Sequence, residues 1–363
     1  MLDTFLKKLK NVDWILLILG VLLTLFGISV LYNLGAANGF AIRQSIWLLV
    51  AVIVFITASF VDFSFLKNGK FLFTLFILMV VILSAVFLLG EEVKGAQSRF
   101  YIFGFAIQPA DPAKLVLIAI LAKYFSRRHM QIAHIKHILI SGVYAGILFL
   151  LVAAQPDLGS ALMLASIWFF IVLLSGISKK HLFALFAIAF VLAFSAWNFA
   201  LKDYQKERIL IFMDPLKDLY GAGYNAYQSL VATGSGGLLG KGIGLGTQSK
   251  LHFLPEYQTD FIFAAFAEEW GFVGVLLFFA VFSALLIRIL QLGLKSNDNF
   301  TRLFSIGVAA LFVTHFVINV GMNIGLLPIT GITLPFVSYG GTHLLTEFLM
   351  LAILASLSRR VNT

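Results

Sequence analysis

The chain has 363 residues, of which 60% are hydrophobic and only 12% are charged. This composition excludes an ordinary soluble globule, in which about half of the residues are apolar. The formal net charge is +9, but no basic face of a soluble fold accompanies it, so a nucleic-acid partner is excluded. The absence of cysteine excludes disulfides and thiol catalysis and leaves the redox compartment open.

Apolar runs long enough to cross a bilayer as helices recur along the whole chain. They predict an all-α, polytopic membrane protein with a single domain, residues 1–363. The first run follows Lys7, Lys8 and Lys10, and its length predicts a retained helix rather than a signal peptide. The ten predicted spans are 14–32, 42–61, 71–89, 111–125, 138–154, 157–175, 181–200, 261–290, 303–325 and 341–358.

The basic residues indicate the orientation of these spans. With both termini in the cytoplasm, 16 of the 26 Lys and Arg residues fall on the cytoplasmic side, as the positive-inside rule requires. Three longer loops then face the outside: 90–110, 326–340, and a large extracytoplasmic loop, 201–260, between spans seven and eight. The chemistry-capable residues gather in these loops, so we expect the function at the extracytoplasmic face.

The loop before the fourth span holds several charged residues. Arg99 and Lys114 lie on either side of the sequence QPADP, and Asp111 precedes Lys114 by three residues. One interpretation is an i,i+3 ion pair with a snorkelling lysine. The other is a cationic site for a pyrophosphate. Pro112 fits the first turn of a helix.

Asp157 lies in the break between the fifth and sixth spans, in the sequence QPDLG. Two interpretations stay open for it. The carboxylate either caps the following helix or faces a cavity as a second acid or as a partner for a basic side chain.

Residues 233–246, TGSGGLLGKGIGLG, contain seven glycines. They match neither the phosphate-binding loop nor the dinucleotide pattern. Their glycine content favours a flexible, turn-rich loop. The alternative is a backbone whose amides, together with Lys241, approach an anionic head group.

Asp260 is the most informative residue of the chain. It stands at the start of an apolar helix, in the sequence LPEYQTDFIF, and a carboxylate at the edge of hydrocarbon is costly and usually functional. The structural alternative is a helix cap formed by Thr259 and Asp260. Glu268 and Glu269 lie two to three turns deeper, and at least one of them must face the protein interior or water.

Other catalytic signatures are absent from the sequence. No spacing of histidines and acids indicates a protein metal cage. Neither a Ser-His-Asp order nor a nucleophile elbow occurs.

Several motifs occur in a fixed order in the second half of the chain. Together they resemble the SEDS family (shape, elongation, division and sporulation), and the strings YQ before ERI, GTQS and GLLPITGI resemble its RodA branch more than its FtsW branch. The motifs are YQKERI (204–209), FMDP (212–215), GAGYNAYQS (221–229), GSGGLLGKGIGLGTQS (234–249), LPEYQTDFIF (254–263) and GLLPITGITLPFVSYGG (325–341).

The resemblance implies a peptidoglycan glycosyltransferase that polymerises lipid II outside the bacterial cytoplasmic membrane, for elongation and rod shape. The family's proposed catalytic aspartate falls on Asp260. Cations for the phosphate or head group fall on Arg99, Lys114, Lys241 and Arg208. Further substrate-binding positions implied by the resemblance are Asp111, Asp157, Gln228, Ser229, Glu256 and Ser338.

The chain departs from the family pattern near these positions. Ala110 and Asp111 stand where the family has Ser-Glu, so the carboxylate is one methylene shorter, and Pro112 stands where Phe is usual. Gln258 replaces the usual His two residues before the catalytic Asp, and Thr342 replaces the Ser after SYGG.

The implied reaction fits these residue types. Joining a sugar 4-hydroxyl to an anomeric carbon that carries lipid pyrophosphate needs a base and cationic stabilisation of the leaving group. One carboxylate suffices because pyrophosphate leaves readily, unlike the glycosidase case, and direct displacement inverts the anomeric centre. A divalent cation, Mg or Mn, held partly by the pyrophosphate, is the expected cofactor. No organic cofactor is expected.

The resemblance also implies partners, namely lipid II, undecaprenyl-pyrophosphate-linked glycan, a class B penicillin-binding transpeptidase and membrane proteins of the elongation machinery. The alternatives are a flippase for lipid-linked precursors, an FtsW-type division paralogue, and a scaffold. Chemistry-capable residues at one face and the lack of an obvious inverted repeat argue against a flippase. A scaffold held together by polar residues leaves Asp260 unexplained.

Overall fold

The computed structural model describes residues 12–34, 39–93, 96–102, 105–127, 135–201, 203–214, 218, 221–251 and 253–359. Lys7, Lys8 and Lys10, which entered the prediction of the first span and of the orientation, lie outside the described residues, as does Pro215 of the FMDP motif.

Ten long helices in the described ranges match the ten predicted spans in order and position. They are α1 (Trp14–Leu34), α2 (Phe40–Phe60), α3 (Gly69–Leu89), α4 (Ala110–Ser126), α5 (Ile135–Ala154), α6 (Leu158–Leu174), α7 (Lys179–Ser195), α11 (Ile262–Lys295), α12 (Asn299–Asn323) and α13 (Gly341–Arg359). Of these, 8 are long and apolar enough to cross a membrane, so the all-α membrane fold is confirmed. The number of spans stays a prediction, because α4 and α6 have only 17 residues each.

The predicted loops contain structure of their own. Between α3 and α4, the strands β1 (Glu91–Val93), β2 (Ala96–Ile102) and β3 (Phe105–Ile107) form an antiparallel sheet in the order β1-β2-β3. This sheet was not predicted from the sequence. The described part of the region 201–260 contains three helices, α8 (Asp203–Met213), α9 (Ala222–Ser235) and α10 (Thr247–Lys250). A 3₁₀ turn (Phe63–Lys67) follows α2, and a π-helical turn (Ala196–Ala200) extends α7.

The centre of the bundle is formed by α4, α12 and α13. Helix α12 packs against α4, α6, α9 and α11, and α13 packs against α2. In contrast, α7 has no buried residue, and its Phe183 and Phe190 are 77% and 73% exposed. Apolar side chains on every face of α7 suit a helix that is surrounded largely by lipid.

Helix α11 is broken at Gly271, where φ is +65° and ψ is −169°. The glycine-rich segment 236–242 satisfies backbone groups at this break. The Phe272 N–H donates to the Gly237 carbonyl (2.9 Å), and the Lys241 N–H donates to the Glu268 carbonyl (3.0 Å). An unpaired backbone group is costly away from water. The segment 236–242 therefore completes the backbone hydrogen bonding of α11 at its break. The segment is turn-rich, as its glycine content indicated, and its backbone is paired with α11.

The close approach of the two backbones explains the glycines at the contact. Gly240 has φ of +79°, and a methyl group added there would overlap the Glu269 carbonyl oxygen. A methyl group added at Gly271 would overlap the Gly240 backbone nitrogen. Only glycine combines the left-handed conformation with such contact.

Replacing Gly271 with alanine should therefore destabilise the fold. We expect the free energy of unfolding to fall by at least about 2 kcal/mol, because left-handed strain adds to overlap with the Gly240 backbone. Unfolding in detergent micelles measures the change. The matched control is Gly146→Ala in α5, where a methyl group meets nothing within 4 Å, and it should keep or raise stability by up to about 1 kcal/mol. Equal stability of the two variants would contradict the role of the break.

Candidate active site

Asp260 lies in a turn directly before Phe261, which is the N-cap of α11. The Asp260 N–H donates to the Glu256 carbonyl (3.1 Å), and the Asp260 side chain is half-buried. The cap residue Phe261 offers no side-chain hydrogen bond. The cap position therefore lies one residue after Thr259 and Asp260, which one interpretation made the cap.

Two buried asparagines of α12 fix the backbone at Asp260. The Asn319 amide donates to the carbonyl oxygens of Asp260 (3.0 Å) and Ile332 (2.7 Å), and the Asn323 amide donates to the Asp260 carbonyl (3.0 Å). The Asn323 side-chain oxygen accepts from the Ala264 N–H (3.1 Å). Since buried amides need such partners, this network defines where α11 begins. Neither asparagine was predicted from the sequence.

The loop 326–340 closes over this turn. The Ser338 hydroxyl donates to the Thr259 carbonyl (2.6 Å) and accepts from the Leu334 N–H (2.8 Å). Ser338 was predicted to bind substrate, and in the structure it joins the loop to the residue before Asp260.

Gly331 brings the same loop next to the Asp260 carboxylate. Its φ is +72°, and a methyl group added there would lie 3.5 Å from Asp260 Oδ2. Oδ2 of Asp260 therefore lies beside a residue that carries no side chain.

Asp157 approaches the loop from another side. One of its oxygens accepts from the Ser160 N–H (3.0 Å), which confirms a helix cap. Its other oxygen accepts from the Gln108 side-chain amide (2.9 Å). Two residues further, a methyl group on Gly159 would lie 3.1 Å from the Thr330 carbonyl oxygen. Asp157 thus anchors the start of α6 beside the residue that precedes Gly331.

Asp111 and Lys114 form the predicted i,i+3 ion pair, with 2.9 Å between Lys114 Nζ and Asp111 Oδ1. The snorkelling interpretation is wrong, since the two side chains are only 4–5% exposed. The same Asp111 oxygen lies 3.2 Å from His343 Nδ1 on α13. A buried ion pair needs further partners of this kind to offset its desolvation.

Three further residues of this cluster, His315, His343 and Glu347, were not predicted from the sequence. Nε2 of His343 lies 3.0 Å from Oε1 of Glu347, and Nδ1 of His315 lies 3.1 Å from the Thr333 carbonyl oxygen. The i,i+4 spacing of His343 and Glu347 on an apolar helix was the one signal available in the sequence.

Glu268 is the centre of a second polar cluster and is fully buried. Its carboxylate accepts from Lys241 Nζ (2.7 Å), the backbone N–H groups of Thr247 (2.8 Å) and Gln248 (3.0 Å), and the Ser249 hydroxyl (3.1 Å). Lys241, predicted to face an anionic head group, is therefore paired with an acid of the chain itself. The cluster fixes α10 against α11.

Glu269 is buried next to it and forms no salt bridge with a described residue. Both acids thus face the protein interior, as predicted for at least one of them.

The remaining predicted residues lie in different surroundings. Ser229 on α9 is buried and donates to the Asn323 carbonyl (2.9 Å), and the Glu256 carboxylate accepts from the Thr259 hydroxyl (3.3 Å). Both belong to the surroundings of Asp260. Gln228 is half-buried on α9.

The two predicted arginines are placed further out. Arg99 is half-buried on β2, where its backbone pairs with Glu91. Arg208 is exposed on α8, and it lines a cavity of about 50 Å³. The other side chains of this cavity are apolar, and they include Phe212, Met322 and Leu327.

Within the described ranges, no group of three or more His, Asp or Glu side chains is arranged to hold a metal ion.

The family model described as "Cell cycle protein", which covers FtsW, RodA and SpoVE, matches residues 8–363. The chain belongs to this family. The RodA-like resemblance found in the motifs agrees with it.

Relatives of this FtsW/RodA/SpoVE chain carry enzyme names. The Escherichia coli protein named peptidoglycan glycosyltransferase MrdB is 39% identical over 273 residues, which cover 75% of this chain and 73% of that protein. A Geobacter protein named probable peptidoglycan glycosyltransferase FtsW is 31% identical over 98% of this chain and 99% of its own length. A solved chain of a peptidoglycan synthase complex that coordinates polymerization and crosslinking has a TM-score of 0.82 and 30% identity, covering 96% and 98% of the two chains.

The two acids of α11 give a testable contrast in this SEDS chain. Glu268→Gln should lower the free energy of unfolding by about 2–3 kcal/mol, because the amide removes the charge opposite Lys241 and mismatches several donors. Glu269→Gln is the matched control, and without a salt bridge to lose it should change stability by less than about 1 kcal/mol. Unfolding in detergent, with limited proteolysis of residues 236–249, measures both. Equal losses of stability in the two variants would contradict the role of Glu268 as the centre of this polar cluster.

Proposed function

We propose that this chain polymerises lipid II into β-1,4-linked glycan, with Asp260 as the general base. The names of relatives that it covers over most of their length support glycosyltransferase activity. The observation that carries the catalytic assignment is the placement of Asp260, a half-buried carboxylate on a backbone fixed by Asn319 and Asn323 and facing Gly331.

The proposed step is a single displacement. The Asp260 carboxylate accepts the proton of a sugar 4-hydroxyl while the hydroxyl oxygen forms a bond to the anomeric carbon of a second substrate. The bond between that carbon and the lipid pyrophosphate breaks, and the pyrophosphate leaves with the electron pair. Attack from the opposite side converts the α-linked pyrophosphate into a β linkage.

The geometry supports this role because a base works best when it is held in place. The two buried amides fix the Asp260 backbone, so little ordering is needed when a hydroxyl arrives. The absence of a side chain at Gly331 leaves room beside Oδ2 for a reacting group.

We assign Arg208 to the lipid-linked phosphate, since its cation lines an otherwise apolar cavity and can meet an anion that adjoins a lipid tail. Arg99 is assigned to the head group. Lys114 and Lys241 are each paired with an acid, so their contact with pyrophosphate requires a substrate that competes with that acid. The surroundings of the base are shaped by the remaining predicted residues, Ser229, Ser338, Glu256, Gln228, Asp111 and Asp157.

A divalent cation held partly by the pyrophosphate belongs to the proposal as a source of charge neutralisation. No step of the proposed displacement depends on it.

We place the long-loop end of the bundle, formed by 90–110, 201–260 and 326–340, outside the bacterial cytoplasmic membrane, with both termini inside. A class B penicillin-binding transpeptidase is the proposed partner. The solved relative from a complex that coordinates polymerization and crosslinking supports this pairing. We propose a RodA-type elongation role, and an FtsW-type division role is the alternative.

Purified protein supplied with lipid II tests the base. Asp260→Ala and Asp260→Asn should reduce polymer formation at least about 100-fold, because general-base contributions are of that order. Asp62→Asn, in the connection between α2 and α3, is the control and should keep native activity. Undiminished polymer in both Asp260 variants would reject the base assignment. No polymer from the native chain with its transpeptidase, together with lipid movement across vesicles, would favour a flippase.

A second test uses the space beside the carboxylate. Gly331→Ala should lower the polymerisation rate at least about 10-fold, since a misplacement near the reacting group is costly. Gly176→Ala is matched to it, because Gly176 also has a positive φ (+97°) but meets nothing within 4 Å. Both variants should lose similar stability, about 1–3 kcal/mol, while only Gly331→Ala loses the rate. Equal rates would show that the space is not used.

A further inference from the structure

We propose that His343 and Glu347 form a second buried ion pair that balances the Asp111–Lys114 pair and holds the loop beside Asp260 in place. His343 is then a positioning residue for the transfer reaction. The catalytic part of this inference rests on the proposed function, whereas its charge balance does not.

Four charged groups from two helices meet in this cluster. Asp111 Oδ1 lies 2.9 Å from Lys114 Nζ and 3.2 Å from His343 Nδ1. His343 Nε2 lies 3.0 Å from Glu347 Oε1. The His343 side chain is 13% exposed and the other three are 4–5% exposed. Helices α4 and α13 are thus joined by groups that water hardly reaches.

The contacts of His343 define its charge. Nδ1 of His343 bonds to Asp111 Oδ1, and an ionised carboxylate can only accept a hydrogen bond, so this nitrogen carries a proton. Nε2 lies 3.0 Å from Glu347 Oε1 and 3.1 Å from the Thr333 hydroxyl. We assign a proton to Nε2 as well, because an imidazolium supplies the positive charge that the second carboxylate needs. Asp111 and Glu347 are then matched by Lys114 and His343, and the cluster is neutral. Without the imidazolium, two buried carboxylates would share one ammonium group, which is strongly unfavourable.

His315 on α12 completes the groups that face His343, with 5.2 Å between the two ring centres. Its Nδ1 lies 3.1 Å from the Thr333 carbonyl oxygen, so this nitrogen is a donor. A neutral His315 avoids repulsion with the neighbouring imidazolium. His315, Glu347 and Asp111 line a cavity of about 10 Å³, about the size that one water molecule needs.

The cluster contacts the loop 326–340 at Thr333. The Thr333 hydroxyl lies 3.1 Å from His343 Nε2, and the Thr333 carbonyl is held by His315. The preceding carbonyl, that of Ile332, accepts from Asn319, which also donates to the Asp260 carbonyl. A continuous set of contacts therefore joins His343 to the residue proposed as the base.

Glu347 holds the loop at a second point. Its Oε2 accepts from the Phe336 N–H (2.8 Å), and Phe336 has φ of +63°. A bulky residue in the left-handed region persists only where its surroundings enforce it. The charge pair thus fixes two positions of the loop 326–340.

A double-substitution cycle tests the proposal. The variants are His343→Gln, Glu347→Gln and the two together, with kcat and KM measured for polymerisation of lipid II and melting temperature measured in detergent. Each single substitution leaves an unbalanced buried charge, so it should lower kcat at least about 10-fold and lower the melting temperature, with KM within about 3-fold. The double variant leaves the neutral Asp111–Lys114 pair but not the native contacts with the loop, so its kcat should stay below native and be at least about 3-fold above that of either single variant.

The outcomes are distinct. If the two substitutions simply add, in kcat and in melting temperature, the ion pair is rejected, because contributions from mere packing do not compensate in this way. If the single variants keep native kcat, the positioning role is rejected. His181→Gln in α7 is the control for exchange of a histidine and should retain native kcat. If the native chain makes no polymer, the proposed function fails, and the melting temperatures alone then support or reject the ion pair.

Discussion

The carbonyl group of Asp260 is the point on which the candidate site depends. Two buried asparagine amides donate to it, and one of them also donates to the Ile332 carbonyl. A carbonyl oxygen has two lone pairs, so the pair of amides uses its full capacity. The start of α11 and the loop 326–340 are thereby held against α12, and the carboxylate takes its position from a backbone that has little freedom.

The apolar runs predicted the helices directly, because a run of this kind crosses a bilayer as a helix and the composition excluded a soluble fold. The motifs located Asp260, and the cap at Asp157 followed from local chemistry. The small sheet at 91–107 was not predicted, since its strands are too short for an alternating pattern to stand out. The ends of the helices and the structure within the loops thus depend on contacts that a single sequence does not reveal.

The contacts that were not predicted share one physical origin. Lys114 forms the ion pair with Asp111 that one interpretation predicted, whereas the pairing of Lys241 with Glu268 was not predicted. The acid of Lys241 lies 27 positions away, and the partners His343 and Glu347 come from a helix more than 200 residues distant from Asp111. Long-range pairing of this kind is decided by packing. The loop 326–340 has no charged residue, so its sequence carries little sign that it organises the site.

The break in α11 also bears on how the chain assembles. An unbroken helix satisfies its own backbone inside a membrane, but α11 cannot do so at Gly271, where its neighbours bond to the segment 236–242. This segment is synthesised before the helix that it completes. The hydrogen bonding of α11 is consequently complete only when the glycine-rich segment is docked against it, so the segment and the helix depend on each other in the folded chain.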